Sequence, residues 1–461
     1  MKRLLITLSI GAMATIGVFA ANPSGGIDSA MMSRLRSNYK PTAADRALRN
    51  ALNGTDLDKL ALNPEAAVTM DNNFSHRVPS RGITDQKSSG RCWLFTGLNV
   101  LRSQMMLEHD LAQLELSQAY NFFFDQLEKS NLFLQAIIDT SDKQMDDRTV
   151  DWLFRNPLSD GGQYTGLSEN ISKYGVVPRE AMPETWTANH TSKVNRLLSL
   201  KLREDGLELR AMKKKGAKPA AIQKRKEQML EEVYRVLART IGNPPQQFTW
   251  TRKNSKGKVV DTRTYTPLEF YKEYAGNDLK NDYVMVMNDP TRPYWKLYEI
   301  DYDRHNYDGQ NWTYVNLPIE TIKEMAIASI KDSTMMYFSC DVGKFLDRER
   351  GVLDPDNYDY ASLLGIDFGM DKADRIRTYG SASSHAMTLV AVDLDKNDKP
   401  VKWMVENSWG KGPNDGHLIM TDHWFDEYMF RLVVNKKYAP KKVLDVLKQK
   451  PTLLPAWDPM F

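Results

Sequence analysis

Gln86-Lys87-Ser88-Ser89-Gly90-Arg91-Cys92-Trp93-Leu94-Phe95 is the stretch that decides how this chain folds. Small and hydroxyl residues run directly into Cys92, and from there Trp93, Leu94, Leu98, Leu101 and Met105 recur on one helical face. The spacing predicts a helix beginning near Cys92, with Ser88 or Ser89 as its cap. A cysteine in the first turn meets unpaired backbone N–H groups and the positive end of the helix dipole. Both favour the thiolate, the competent nucleophile, so this position is expected to lower the pKa of Cys92. An inert cysteine buried in a helix is the alternative, and this run alone leaves both readings open.

A nucleophilic cysteine needs a base, and the base needs an orienting group. Among the histidines, His385 opens the apolar run Ala386-Met387-Thr388-Leu389-Val390, which reads as a buried strand. An imidazole at the end of such a rigid support is suited to general-base work, although a lone histidine there is more often structural. The next strand closes on Val405-Glu406-Asn407-Ser408-Trp409-Gly410. The Asn407 amide oxygen can accept from one ring N–H of His385 and fix its tautomer, and Trp409 can shield that bond from water. Gln86, upstream of Cys92, carries an amide able to donate to the oxyanion formed in acyl transfer. The expected catalytic set is Cys92, His385, Asn407 and Gln86, with Trp409 in support.

Around this set the chain is ordinary globular material. Its 461 residues are 41% hydrophobic and 26% charged, which excludes collagen-like, low-complexity and wholly disordered classes. A formal charge of +3 announces neither a nucleic-acid nor a membrane-surface binder. The two cysteines, Cys92 and Cys340, permit at most one disulfide and exclude a cysteine-rich metal site. Cys340 lies inside an apolar run with no helix start and is read as structural. His417 and His423 lack zinc-ligand spacing, so no metal is expected, and no other cofactor is called for.

Met1-Lys2-Arg3 is a basic start, Leu4 to Ala20 is uncharged, and Val18-Phe19-Ala20 resembles a small-x-small cleavage site. Residues 1–20 read as a secretory signal peptide, with cleavage after Ala20 or retention as an anchor. The expectation is an exported protein, periplasmic or extracellular, with no stable membrane span once the signal is removed. Residues 21–69 read as a loose arm with one helix. Residues 70–164 form a helical segment ending near Asp160-Gly161-Gly162, a turn signal. Helical, charged sequence follows across 165–290, with a breaker at Gly242-Asn243-Pro244-Pro245. From Phe248 onward β-branched and apolar runs mark strands, and 291–440 is the strand-rich part. Residues 441–461 read as a helix and an extended arm. Helices first and strands afterwards imply an α+β protein.

The constellation of Gln86, Gly90-x-Cys92-Trp93, His385 and Asn407-Ser408-Trp409-Gly410 resembles the papain superfamily of cysteine peptidases. Four longer runs resemble one branch of it, bleomycin hydrolase and aminopeptidase C. They are Asp85 to Trp93, Lys173-Tyr174-Gly175-Val176-Val177-Pro178, Cys340-Asp341-Val342-Gly343-Lys344 and Pro455-Ala456-Trp457-Asp458-Pro459-Met460. His385 follows Cys92 by 293 residues (385 − 92), against about 130–150 in a simple papain-like chain. The excess is assigned to the helical insertion at 165–290, a feature for which the branch is known.

The resemblance implies a two-lobed papain-like fold, with Cys92 on a helical lobe and His385 and Asn407 on a β-barrel-like lobe. It also implies a cysteine aminopeptidase acting on peptides through a thioester acyl-enzyme. It assigns Gly161 and Gly162 to the substrate backbone, where only glycine permits so close an approach; a plain turn is the other reading. It implies a homohexamer, and a C-terminal arm lying in the cleft so that Phe461 meets substrate. Branch members usually continue for a few small residues past this point, so either the Phe461 carboxylate reaches the same place with a bulkier end or it stops short and leaves a longer cleft; the second is expected, with release of dipeptides or cleavage of internal bonds. Some members bind nucleic acid, but the cluster Lys213, Lys214, Lys215, Lys218, Lys224, Arg225 and Lys226 reads as a solvated helix face, and nucleic acid is not expected. A non-catalytic papain-like scaffold, or an acyltransferase, would share many of these residues; the latter more often has an acidic orienter than Asn407.

Overall fold

The computed structural model describes residues 25–66 and 70–461. The segment read as a signal peptide lies outside them. Contacts divide the chain after Ala61. Among the described residues the first unit carries three helices, Ser29–Asn38, Ala43–Leu52 and Leu57–Ala61, where one was expected. Local chemistry accounts for two of them. Asp28 caps the first through the Met31 N–H, and Thr42 with Asp45 forms a reciprocal capping box on the second.

The second unit is α+β. The Cys92–Glu108 helix buries Trp93, Leu94, Leu98, Leu101 and Met105 together with helices Gln118–Asp139 and Tyr164–Tyr174 in one apolar core. Each such side chain contributes roughly 1.5–3 kcal/mol on burial. Gly97 allows the close approach of two of these helices, since a Cβ there would lie 2.1 Å from Leu167 Cδ2. Helices Ser192–Lys214 and Pro219–Thr240 pack against Gln118–Asp139. The second buries Ile222, Met229, Val233 and Leu237 and ends just before the Gly242 breaker. Lys213, Lys214, Lys215, Lys218 and Lys224 are exposed, but Lys226 is buried and donates to Gln135, and Arg225 pairs with Glu208 at 2.7 Å. Lys226 therefore does not belong to a solvated face, whereas Arg225 is half-buried on its edge.

Beyond residue 248 a hairpin, Phe248–Lys253 with Val259–Tyr265, leads into a mixed sheet of twelve strands among the described residues. At its centre Met429–Asn435, Met336–Cys340, His385–Leu394, Pro400–Glu406 and His417–Thr421 lie side by side, all antiparallel. From His385 to Val392 every residue is buried, as expected of a strand covered on both faces. The Cys92–Glu108 helix packs on this strand, so the helix start and the strand start meet at one end of the sheet. The final strand, Thr452–Leu454, pairs in parallel with Lys296–Ile300 and directs the last residues back toward that end.

Candidate active site

Gln86, Cys92, Gly161, Gly162, His385 and Phe461 line one cavity of about 600 Å³. Cys92 is the first residue of its helix, but neither Ser88 nor Ser89 caps it. The cap position is Arg91, whose carbonyl accepts from the Leu94 and Phe95 N–H groups at 3.0 Å. Ser89 Oγ is turned away, donating to Gln86 O at 2.6 Å and accepting from Arg91 Nε at 3.0 Å. The Arg91 side chain is buried, 2.8 Å from Glu184 and over the rings of Phe95 and Phe122. The loop is thus fixed by an internal ion pair rather than by a serine cap.

His385 Nε2 lies 2.8 Å from Asn407 Oδ1. The Ser408 N–H donates to the same oxygen at 2.8 Å. Two groups converging on Oδ1 identify it as the acceptor, so Nε2 carries the proton and Nδ1 keeps its lone pair. The Trp409 ring lies 4.9 Å from the imidazole, centroid to centroid, tilted by 30°. Burial pushes the imidazole pKa down to about 4, opposed by Asn407 and reinforced by the positive charge of Arg348.

The expected fall in the thiol pKa is not what the site produces. Burial pushes the Cys92 thiol up, although the backbone N–H groups of Ala386, Trp93 and Cys92 itself pull the other way. Enclosure outweighs the helix start because desolvation penalises a lone charge. Burial therefore drives both groups toward their neutral forms when each is taken alone. Both groups line one cavity, and the opposite charges created by moving the proton from Cys92 to His385 would offset one another.

Gln86 is stitched to the Asn407 segment. Its N–H donates to Ser408 O at 2.8 Å, and its Oε1 accepts from Ser408 Oγ at 2.6 Å. Its Nε2 donates one hydrogen to Ser89 O at 2.6 Å, leaving the second for the cleft it lines. Lys87 next to it takes a positive φ of 54°, with its N–H on Asp85 Oδ1. Cys340 lies opposite His385 in the neighbouring strand. Its side chain is fully buried in the core behind the sheet, whereas Tyr337 and Ser339 line the cleft; alternation along the strand turns Cys340 away.

Asp160 ties the glycine pair to the residues on either side of Arg91 and Cys92. Its Oδ2 accepts from the Gly90 N–H at 2.8 Å and from Thr191 Oγ1, and its carbonyl accepts from Trp93 Nε1 at 3.0 Å. Gly90 must be glycine here, because a Cβ would lie 2.4 Å from Asp160 Oδ1. Sequence reasoning did not single out Asp160 or Ser408, although each adjoins a residue it had assigned. The tail is anchored at three points. Trp457 lies under Arg148, Asp458 lies 3.0 Å from Arg292, and Met460 O accepts from Arg431. Phe461 then sits edge-on to Trp152 at 5.1 Å. The arrangement can do acyl transfer: a nucleophile, a base with a fixed tautomer, and an amide donor face one cavity.

The chain matches the peptidase C1-like family over residues 26–461. Aminopeptidase C from Lactobacillus delbrueckii subsp. lactis is 38% identical over 430 residues, 92% of this chain and 95% of that protein. Human bleomycin hydrolase is 39% identical over 451 residues, 95% of this chain and 98% of that protein. The crystal structure of PepW from Lactobacillus rhamnosis superimposes with a TM-score of 0.91 at 38% identity, covering 95% of this chain and 99% of that one.

Proposed function

Because the chain belongs to the peptidase C1-like family, we infer that its cleft performs the reaction of a cysteine aminopeptidase through Cys92, His385, Asn407 and Gln86. The protein is a papain-like cysteine peptidase that hydrolyses peptides, as its relatives named aminopeptidase C and bleomycin hydrolase indicate. The observation that carries the residue roles is the shared cavity, with Cys92 and His385 on its wall and Asn407 fixing the imidazole from behind.

Cys92 passes its proton to His385 Nδ1 and attacks the scissile carbonyl. The oxyanion is received by the Cys92 backbone N–H and the free N–H of Gln86 Nε2. The imidazolium returns the proton to the leaving amine as the C–N bond breaks, leaving a thioester. Water, deprotonated by His385, then attacks the thioester; the acid is released and the thiol restored. Gly161 and Gly162 hold the substrate backbone.

The tail supplies the exopeptidase character. Phe461 lies in the cleft, and a carboxylate held there would attract the substrate's ammonium group. A volume of about 600 Å³ is in the range that takes a drug-sized ligand, room for a peptide substrate, and the reading includes release of dipeptides alongside single residues. Export under the direction of residues 1–20 and assembly into a homohexamer complete this reading. N-terminal sequencing of non-cytoplasmic protein should find Ala21 or Asn22 first, and sedimentation should give six subunits; intact Met1 on cytoplasmic protein, or a monomer, would contradict them.

The test of the nucleophile is release of a coloured amine from aminoacyl substrates. Cys92→Ala should abolish it and Cys340→Ala should retain most of it. The reverse pattern overturns the assignment.

A further inference from the structure

The Ser159–Gly162 segment forms part of the cleft wall, and a buried ammonium group holds it from behind. Lys129, on the Gln118–Asp139 helix, places Nζ 2.6 Å from Gly161 O, 3.1 Å from Ser159 O and 2.9 Å from Asp125 Oδ2. An ammonium has three N–H donors, and these three acceptors use all of them. Asp125 is fully buried, and its other oxygen lies 2.5 Å from His305 Nδ1. His305 in turn backs the glycines, since a Cβ on Gly162 would lie 2.3 Å from its Cε1. Gln126 Nε2 adds a second donor to Ser159 O at 3.0 Å, and Asp160 O is held by Trp93 Nε1.

Three successive carbonyls, of Ser159, Asp160 and Gly161, are therefore turned inward. The Gly162 N–H and carbonyl have no partner among the described residues. The peptide joining Gly161 to Gly162 is planar and trans, so its C=O and N–H point in opposite directions. Holding the Gly161 carbonyl inward with a cation turns the Gly162 N–H outward to the cleft. The same charge draws electron density toward the carbonyl oxygen and makes that N–H a stronger donor. A buried ion pair is weak evidence for stability, because apolar side chains of similar volume often do as well. What the pair adds here is direction.

We propose that Lys129, fixed by Asp125 and His305, is a positioning residue that aims the Gly162 N–H at a carbonyl of the substrate backbone, that of the residue preceding the one whose carbonyl Cys92 attacks. This rests on the reading that Gly161 and Gly162 bind substrate backbone, and three thiol reagents separate the two. Iodoacetamide needs only Cys92 and His385. Phenylalanyl chloromethyl ketone adds the residue at the scissile position, and glycyl-phenylalanyl chloromethyl ketone adds the carbonyl in question without a further side chain.

In the wild type the glycyl unit should accelerate inactivation. In Lys129→Met the iodoacetamide and phenylalanyl rates should hold within about twofold, while the gain from the glycyl unit falls about tenfold, the loss of one hydrogen bond to a polarised donor. A wild type that gains nothing from the glycyl unit removes the reading of the glycine pair, and the proposal with it. A wild type that gains, with a variant that gains equally, removes Lys129 alone. Equal loss of all three rates places Lys129 on the nucleophile and also overturns the proposal. Should Lys129→Met fail to fold, Lys129→Arg is read by the same criteria. It keeps a positive charge beside Asp125, but its planar fork cannot reproduce the three-way contact, so the same selective loss is expected.

Discussion

Ser408 Oγ donates to Gln86 Oε1 across 2.6 Å, joining the residue after Asn407 to the amide proposed to receive the developing oxyanion. Ser408 also donates its N–H to Asn407 Oδ1 and accepts the Gln86 N–H on its carbonyl. One residue therefore fixes both the Asn407 oxygen that meets His385 and the rotamer of Gln86. With Oε1 taken by Ser408, the Gln86 amide cannot flip, and its Nε2 stays toward Ser89 and the cleft.

Ser408→Ala should lower kcat about fivefold with little change in KM, the cost of one orienting hydrogen bond. Gln86→Ala should cost about a hundredfold, as expected for an oxyanion donor. The double variant should be no worse than Gln86→Ala alone, because Ser408 acts through Gln86. Multiplicative losses in the double variant would show that the two act independently.

His385 is held to a pKa of about 4 by burial, so it remains neutral and able to take the Cys92 proton well below the ordinary histidine range. The acid limb of kcat/KM should therefore fall through pH about 4 rather than 6.5. Stability follows the same sign. The folded pKa is below the unfolded one, so the contribution of the neutral imidazole is complete above pH 6.5 and is lost as pH falls through about 4. It amounts to about 3 kcal/mol. Kinetic and thermal scans from pH 3.5 to 7.5 check both, and an acid limb centred near 6.5 would remove the argument.

Asn407→Ala should lower kcat by about one to two decades and His385→Ala by more, since an orienter supplies geometry whereas the base carries the proton. The ring orientation is not wholly lost in Asn407→Ala, because Trp409 still packs on the ring. Equal losses in the two variants would contradict this ranking.

A chain ending at Met460 should discriminate less between free and N-blocked peptides. In that chain the Met460 oxygen bound by Arg431 becomes part of the terminal carboxylate, so the tail remains anchored while its charge is drawn back from the substrate onto Arg431. The ratio of rates on free and N-acetylated peptides should fall about tenfold or more, the effect of losing one charged contact in a cleft. An unchanged ratio would mean that the tail does not select for the amino terminus.

Much of this was written in local sequence. A hydroxyl- and glycine-rich run entering an apolar period specifies a helix starting at Cys92, and an apolar run opened by His385 specifies a buried strand. Those patterns depend on neighbours a few residues away, and so do the chemical types of Gln86, Asn407 and Trp409. The cap was misread because Arg91 finds Glu184 and Asn189 far along the chain, leaving Ser88 and Ser89 unneeded. The direction of the Cys92 shift was misread because a helix start is local, whereas desolvation depends on which surfaces close over it. Lys129, Asp125 and His305 carry no motif. Asp125 and His305 are 180 residues apart, and their meaning appears only when the Gln118–Asp139 helix is laid behind the glycine pair. Short-range periodicity determined the elements and the candidate nucleophile, base and orienter; the packing of elements distant in sequence decided the charges, the aim of each donor and the reach of the tail, because burial and direction belong to surfaces that only the folded chain brings together.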